Sequence, residues 1–259
     1  MSDPIEIPDS FPAPGAVAGK RVVITGAGRG LGTLLAHAFS RAGSSVALVA
    51  RTERDLKAVA AQLPGPCLVL PGDVTDEDFN EEVADATLAQ WGGLDVWICN
   101  AGISPVVAGP RETGARVWRQ ILDVNLTGAF LGARAAARVM AEGGRIIFTG
   151  SVLGERPRRG LCAYGASKAG LVGLAKGLAL DLAADGVTVN VVAPGWFDSP
   201  LAEGWMRTPR LADAITGHTA LQRWGAPADL AGAYQFLASD AAAFVTGAVL
   251  SVDGGYLLV

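Results

Sequence analysis

Short runs of Val, Ile and Leu alternate along this chain with longer stretches of helical character, and that alternation limits the fold more than any other feature. Runs of this kind, apolar on both sides, read as strands of a parallel sheet covered on both faces, with helices in the crossovers between them. Seven candidates follow one another at 21–25, 45–50, 67–70, 95–99, 145–149, 188–192 and 249–252, and intervening segments such as 76–91 are long enough for a helix. Right-handed crossovers between such strands give a doubly wound α/β sheet of about seven strands with helices on both faces, the Rossmann arrangement. With 259 residues, 50% of them hydrophobic and 18% charged, the chain can bury a large core as one domain, placed at 19–259.

The same reading excludes several classes. Residues 1–18 carry acids and prolines where a signal peptide needs a basic region and an apolar run, so they are expected to form an extended arm. Gly, Arg, Asp or Asn interrupts every apolar segment before it reaches membrane-spanning length. A formal charge of −4 gives no reason to expect nucleic acid or an anionic membrane as partner. Cys67, Cys99 and Cys162 are odd in number and widely spaced, which fits neither a disulfide framework nor a zinc site. A reducing, cytoplasmic setting and no metal are expected. One irregular stretch, about 195–225, combines Pro, Gly and aromatic residues after a strand and reads as a lid over a ligand crevice containing a short helix.

The segment Thr25-Gly-Ala-Gly-Arg-Gly-Leu-Gly32 follows the first strand and opens a helix reading over 31–42. Glycines let such a turn be tight and let backbone approach a pyrophosphate, while the helix amino terminus offers N–H groups and a favourable dipole. A dinucleotide is the implied ligand, with Gly26, Arg29, Gly30, Leu31 and Gly32 around its phosphates. The second strand ends at Ala50-Arg51-Thr52 with no carboxylate for the ribose hydroxyls, so Arg51, with Arg29 opposite, is placed to pair with a 2′-phosphate. NADP(H) is therefore expected, with NAD(H) the alternative because Glu53 lies close by.

Tyr164 and Lys168 lie four residues apart, one above the other if the segment is helical, and Ser151 precedes the tyrosine by thirteen positions. A neighbouring ammonium is expected to lower a phenol pKa that is ordinarily about 10, fitting the tyrosine for proton transfer near neutrality.

With these features in order, the chain from about residue 19 onward resembles the short-chain dehydrogenase/reductase family in its single-domain form. Asp73-Val74 matches its adenine-pocket motif, and Asn100-Ala101-Gly102 its Asn-Ala-Gly motif, with Cys99 in place of the usual preceding asparagine. Asn125, Ser151, Tyr164 and Lys168 match its catalytic set, and Pro194-Gly195 the turn at the nicotinamide end, where Phe197 and Ser199 replace the common Ile and Thr. The resemblance implies that Tyr164 protonates a carbonyl oxygen as hydride arrives, that Ser151 hydrogen-bonds that oxygen, that Lys168 holds the nicotinamide ribose, and that Asn125 holds a relay water. It implies a homotetramer with the apolar chain end at an interface.

Leu153, Leu161, Trp196 and Trp205 suggest an apolar or ring-bearing substrate, or simple lid packing. Arg156, Arg158 and Arg159 read either as an attractor for an anionic substrate or as a solvated surface cluster. A small-molecule carbonyl or alcohol is implied, with 3-oxoacyl thioesters, sugar acids and cyclic or aromatic ketones all open. A cofactor-binding protein without turnover is the reading from another class.

Overall fold

The computed structural model, which describes residues 16–199 and 201–259, joins the seven apolar runs into one parallel sheet. The strands are β1 (Arg21–Thr25), β2 (Ser45–Ala50), β3 (Cys67–Pro71), β4 (Val96–Cys99), β5 (Arg145–Thr149), β6 (Thr188–Pro194) and β7 (Val249–Val252), in the order β3-β2-β1-β4-β5-β6-β7. The arm expected over 1–18 lies almost wholly outside the described residues. β3 and β6 run one and two residues longer than the sequence suggests. β4 starts one later, at Val96, and just before it the Asp95 carboxylate accepts from the Arg21 main chain and guanidinium, each at 2.7 Å.

The helices are α1 (Gly30–Arg41), α2 (Glu53–Ala60), α3 (Glu77–Trp91), α4 (Ala115–Leu122), α5 (Gly128–Val139), α6 (Cys162–Asp181), α7 (Glu203–Met206), α8 (Pro209–Gly217) and α9 (Ala228–Ala238). Alternate strand residues enter opposite cores, as the two-residue period requires. Val22, Ile24, Leu48 and Ile98 pack with α1, α2 and α9, whereas Val23, Val49, Trp97 and Phe148 pack with α3, α5 and α6. Each fully buried Phe, Leu or Ile contributes about 1.5–3 kcal/mol by leaving water.

The strand order reverses between β2 and β4, on either side of β1. That switch point opens a crevice at the carboxyl ends of the strands, and the glycine-rich turn and Asn100-Ala101-Gly102 both fall there. A third apolar cluster lies beyond the ends of β5 and β6, built from Val152, Leu153, Leu161, Tyr164, Trp196, Ile215 and Tyr256. The expected lid contains two helices, α7 and α8. Its ends are fastened together: Gly225 N donates to Trp196 O at 2.9 Å and Asp198 N to Gly225 O at 3.2 Å. Among the described residues no helix is long and apolar enough to cross a membrane.

Candidate active site

Thr149 ends β5, and two residues on, Ser151 caps a single 3-10 turn, its hydroxyl accepting from Leu153 N at 3.1 Å. This turn is pressed onto α6: a Cβ at Gly154 would stand 2.9 Å from Lys168 C, and one at Gly165 3.0 Å from Leu153 O. Ser151 is thereby held against the first turns of α6, where Tyr164 and Lys168 share a face, with Nζ 5.7 Å from the phenol ring centroid. Lys168 Nζ donates to Thr149 O at 2.7 Å. A Cβ at Gly102 would come within 3.5 Å of both Lys168 Nζ and Asn125 Oδ1, so the β4 loop also reaches this point.

Asn125 sits in a π turn, Asp123–Thr127, between α4 and α5. Such turns are uncommon and cluster at functional sites. Its Oδ1 accepts from Ile103 N at 2.7 Å, while Nδ2 donates to Ile103 O and to Ser167 Oγ, each at 3.0 Å. Both amide donors are thus spent on fixing the β4 loop to α6.

One electrostatic expectation is reversed. Burial pushes the Tyr164 phenol up to about 12, with the Ser151 hydroxyl acting in the opposite direction, and burial pushes Lys168 down to about 8. The physical reason is that both groups are at least nine-tenths buried, so removing water from each outweighs what the spacing alone suggests. The ammonium is also directed at the Thr149 carbonyl.

The glycine-rich turn fits a dinucleotide. Gly26 has φ +69°, and a Cβ there would lie 2.9 Å from Ala101 Cα; a Cβ at Gly32 would lie 2.1 Å from Gly26 O. The turn therefore needs glycine for its own closure, and it presents the start of α1, where no side chain caps the helix, to the crevice. Asn100 acts here as a fastener: Nδ2 donates to Thr25 O at 2.9 Å and Oδ1 accepts from Thr149 Oγ1 at 3.3 Å.

Arg29, Arg51 and Thr52 are exposed beside this crevice. Arg51 lines a cavity of about 370 Å³ with Asp73, Thr75, Arg116, Arg119 and Asp123. Asp73 Oδ1 is engaged by Thr75 N at 3.0 Å and Thr75 Oγ1 at 2.9 Å, which shapes the Asp73-Val74 turn. Glu53, the candidate ribose ligand, is paired with Lys57 at 2.8 Å one helical turn away. Arg116 and Arg119, on α4, were not singled out by sequence; their distance along the chain hid them, and only their three-residue spacing on a helix gave a signal. Leu31 packs against the first core, and the Phe197 side chain is buried in it, its main chain bridged to Gly225.

Above Tyr164, Leu153, Leu161 and Trp196 are buried together, and Trp205 and Trp224 pack on them. Trp196 is the hub, with ring centroids 5.3 Å from Trp205, 5.7 Å from Trp224 and 6.4 Å from Tyr256. Its indole Nε1 is buried without a hydrogen-bond partner among the described residues. The three arginines do not form one solvated cluster. Arg156 donates to Tyr256 O at 3.0 Å and to Val259 O, Arg158 lies over Trp196 and Trp205, and Arg159 is exposed. Tyr256 and Leu257 pack into the aromatic cluster, so only part of the apolar segment 256–259 is exposed.

Comparison with known proteins agrees with this geometry. A family model described as enoyl-(acyl carrier protein) reductase matches residues 26–257. A cis-4-hydroxycyclohexanecarboxylate dehydrogenase from Sinomonas cyclohexanicum is 37% identical over 248 residues, covering 94% of this chain and 99% of its own. The 3-oxoacyl-(acyl-carrier-protein) reductase of Escherichia coli is 35% identical over 243 residues, covering 93% and 98%. A Beutenbergia cavernae structure with NADP bound at low occupancy, provisionally assigned as an NAD(P)-dependent gluconate 5-dehydrogenase, superposes with TM-score 0.87 at 35% identity over 95% of this chain and 100% of that one.

Proposed function

Because the chain belongs to the short-chain dehydrogenase/reductase family, a family of NAD(P)-dependent oxidoreductases, we propose that it interconverts a ketone and a secondary alcohol with NADP(H), using Tyr164 as the proton donor and acceptor. The observation that carries this reading is the buried Tyr164–Lys168 pair with Ser151 beside it, set at the carboxyl ends of the strands between the dinucleotide turn and an apolar cluster.

The cofactor would be held by Gly26, Arg29, Gly30, Leu31 and Gly32 at its phosphates, Asp73 and Val74 at the adenine, and Ala101 and Gly102 along its ribose side. Thr52, Asn100, Pro194, Gly195, Phe197 and Ser199 complete the walls. When bound, it supplies or accepts the hydride. Arg51, with Arg116 and Arg119 on the same cavity, supports a 2′-phosphate and hence NADP(H) over NAD(H).

In the reducing direction the Tyr164 hydroxyl gives its proton to the carbonyl oxygen. A phenol pushed up to about 12 is protonated at neutral pH and ready for that role. Ser151 donates a hydrogen bond to the same oxygen, a contact that strengthens as negative charge grows there. Lys168 stands behind the phenol and favours its anion when alcohol is oxidised. Asn125 has no amide donor to spare, so its part in holding a relay water falls to its oxygens.

The indole-rich cluster beside Tyr164 supports a cyclic or aromatic ketone over a sugar, with residues 195–225 as its lid. Exposed Phe130, Leu180, Phe244 and Leu258 support assembly of several copies, for which a tetramer is our reading, working in the cytoplasm.

The test is NADPH consumption across keto acids, acyl thioesters, cyclic ketones and aromatic ketones, with Tyr164→Phe alongside. The variant is expected to bind NADPH as the parent does and to lose about 10²–10⁴-fold in turnover. Full activity in Tyr164→Phe refutes the mechanism, and NADPH binding without turnover of any carbonyl favours the reading without catalysis.

A further inference from the structure

Arg158 is an unusual group for an entrance loop. Its guanidinium carbon lies 5.3 Å from the Trp196 ring centroid and 5.2 Å from that of Trp205. Those two rings are themselves 5.3 Å apart, so the cation sits in a notch between two indoles. Among the described residues no carboxylate lies within ion-pair distance of it, and its side chain donates no hydrogen bond, whereas Arg21 and Arg145 do both and Arg156 donates to main-chain carbonyls. Burying a cation's flank against aromatic faces without a counter-charge is tolerable because the ring quadrupoles attract it. That contact uses the face of the guanidinium, leaving its N–H fork for an oxyanion.

The position of the notch gives this free fork a purpose. Trp196 belongs to the same buried cluster as Tyr164, Leu153 and Leu161. Arg158 O accepts from Leu161 N at 3.2 Å at the entry to α6, three residues before Tyr164. Its loop is pinned on both sides: Gly160 O accepts from Ala108 N at 2.9 Å, and the neighbouring Arg156 is fixed to Tyr256 O at 3.0 Å. A second unspent donor lies on the Trp196 ring itself, since its Nε1 is buried and has no hydrogen-bond partner among the described residues. Two donors without acceptors among the described residues, on the aromatic cluster that also contains Tyr164, describe a site for a molecule with an apolar body and an anionic end.

Building on the reductase reading above, we infer that the substrate is a ring-bearing or otherwise apolar ketone, or the matching alcohol, that carries a carboxylate, and that Arg158 reads this carboxylate from its place on Trp196 and Trp205. Arg158 is a specificity determinant, and proton transfer stays with Tyr164.

The experiment pairs each keto acid with its own methyl ester, so that only the charge changes: 4-oxocyclohexanecarboxylate, 4-acetylbenzoate and levulinate, with NADPH, followed by absorbance. The parent enzyme is expected to favour the acid over its ester by about 10- to 100-fold in kcat/KM for at least one ring-bearing pair, chiefly through KM, as a charge-assisted hydrogen bond allows. The preference should shrink as salt is raised. Arg158→Gln should collapse the acid-to-ester ratio by a similar factor, and Arg158→Lys should restore part of it. Should Arg158→Gln fail to fold, the parent's ratio and its salt dependence still decide.

Equal turnover of acids and esters by the parent overturns the inference and leaves the reductase reading standing. An equal fall for both members of a pair in Arg158→Gln overturns it as well, since the residue then only packs. Absence of turnover with every acid and ester, and with the wider carbonyl panel, removes the reductase reading and the inference with it.

Discussion

Replacing Lys168 by methionine separates what this residue does for the reaction from its effect on folding. Lys168 is 4% exposed, and burial draws its pKa from 10.5 to about 8. At about 1.4 kcal/mol per pH unit, that change opposes folding by about 3 kcal/mol when the lysine is charged. The folded pKa is the lower one, so the unfolded chain binds more protons between about pH 8 and the ordinary lysine value. Stability from this group therefore rises with pH across that window, and the full penalty applies below it. Methionine fills similar space and removes the titration, but it leaves the Thr149 carbonyl without its 2.7 Å donor, a loss of about 1–2 kcal/mol.

The variant should accordingly be more stable than the parent by about 1–2 kcal/mol near pH 7, and the difference should shift by about 2 kcal/mol in the parent's favour by about pH 9.5. Tyr164, Cys67 and Cys99, whose pKa values burial raises, stay protonated in both folded proteins across most of this window, so their contributions cancel in the comparison even though Cys99 interacts electrostatically with Lys168. Urea unfolding followed by tryptophan fluorescence at fixed protein concentration measures both quantities, while turnover with any accepted ketone should fall about 100-fold or more. A stability difference that does not change with pH, or that moves the other way, refutes the placement of a buried, penalised ammonium at Lys168.

Two further substitutions probe the cofactor crevice. Gly32→Ala places a methyl 2.1 Å from Gly26 O and 2.9 Å from Ala27 Cα, where only main chain could yield; NADPH affinity should drop at least about 10-fold and stability by about 1–3 kcal/mol, and calorimetric titration with parent-like affinity would contradict the closure described for this turn. Arg51→Ala should lower kcat/KM for NADPH by about 10- to 100-fold while changing that for NADH little, and an unaltered NADPH-to-NADH ratio would remove Arg51 from the 2′-phosphate site.

Much of this was legible in the sequence because the relevant signals are local. Strands 21–25, 45–50, 145–149 and 249–252 have the predicted bounds, since β-branched runs flanked by Gly and polar residues leave few alternatives. The Tyr164 and Lys168 face follows from helical period alone. What escaped the sequence depends on contacts across it. No spacing announces that Asn125 spends its amide on Ile103 and Ser167, or that Arg116 and Arg119 share a cavity with Arg51. The pKa of Tyr164 went the other way because charge proximity is visible in a sequence whereas burial is a property of the assembled core. The three arginines at 156–159 differ for the same reason: Arg156 meets the segment after β7, Arg158 meets Trp196 and Trp205, and Arg159 is left exposed.

Thr149 explains how the chemistry can be rigid while the substrate end remains adjustable. A hydroxyl has one proton to give, and Thr149 Oγ1 gives it to Asn100 Oδ1, so Tyr234 must donate to Thr149 across their 2.7 Å contact. Asn100 passes the connection to Thr25 O, and the Thr149 carbonyl fixes Lys168. One chain of hydrogen bonds thus links α9, β5, the β4 loop and β1 directly beneath the reacting groups. The expected lid is tied separately: it leaves and re-enters the fold through the paired Trp196 and Gly225, like a handle, with Leu221 N donating to Gly254 O at 3.0 Å and Ile215 buried in the aromatic cluster. Side chains on that handle and on the 155–161 loop can change without disturbing the Thr149 network. In the proposed reaction, selection among carbonyls would therefore rest on Trp196, Trp205 and Arg158, and proton transfer on Tyr164 beside the Lys168 that Thr149 holds.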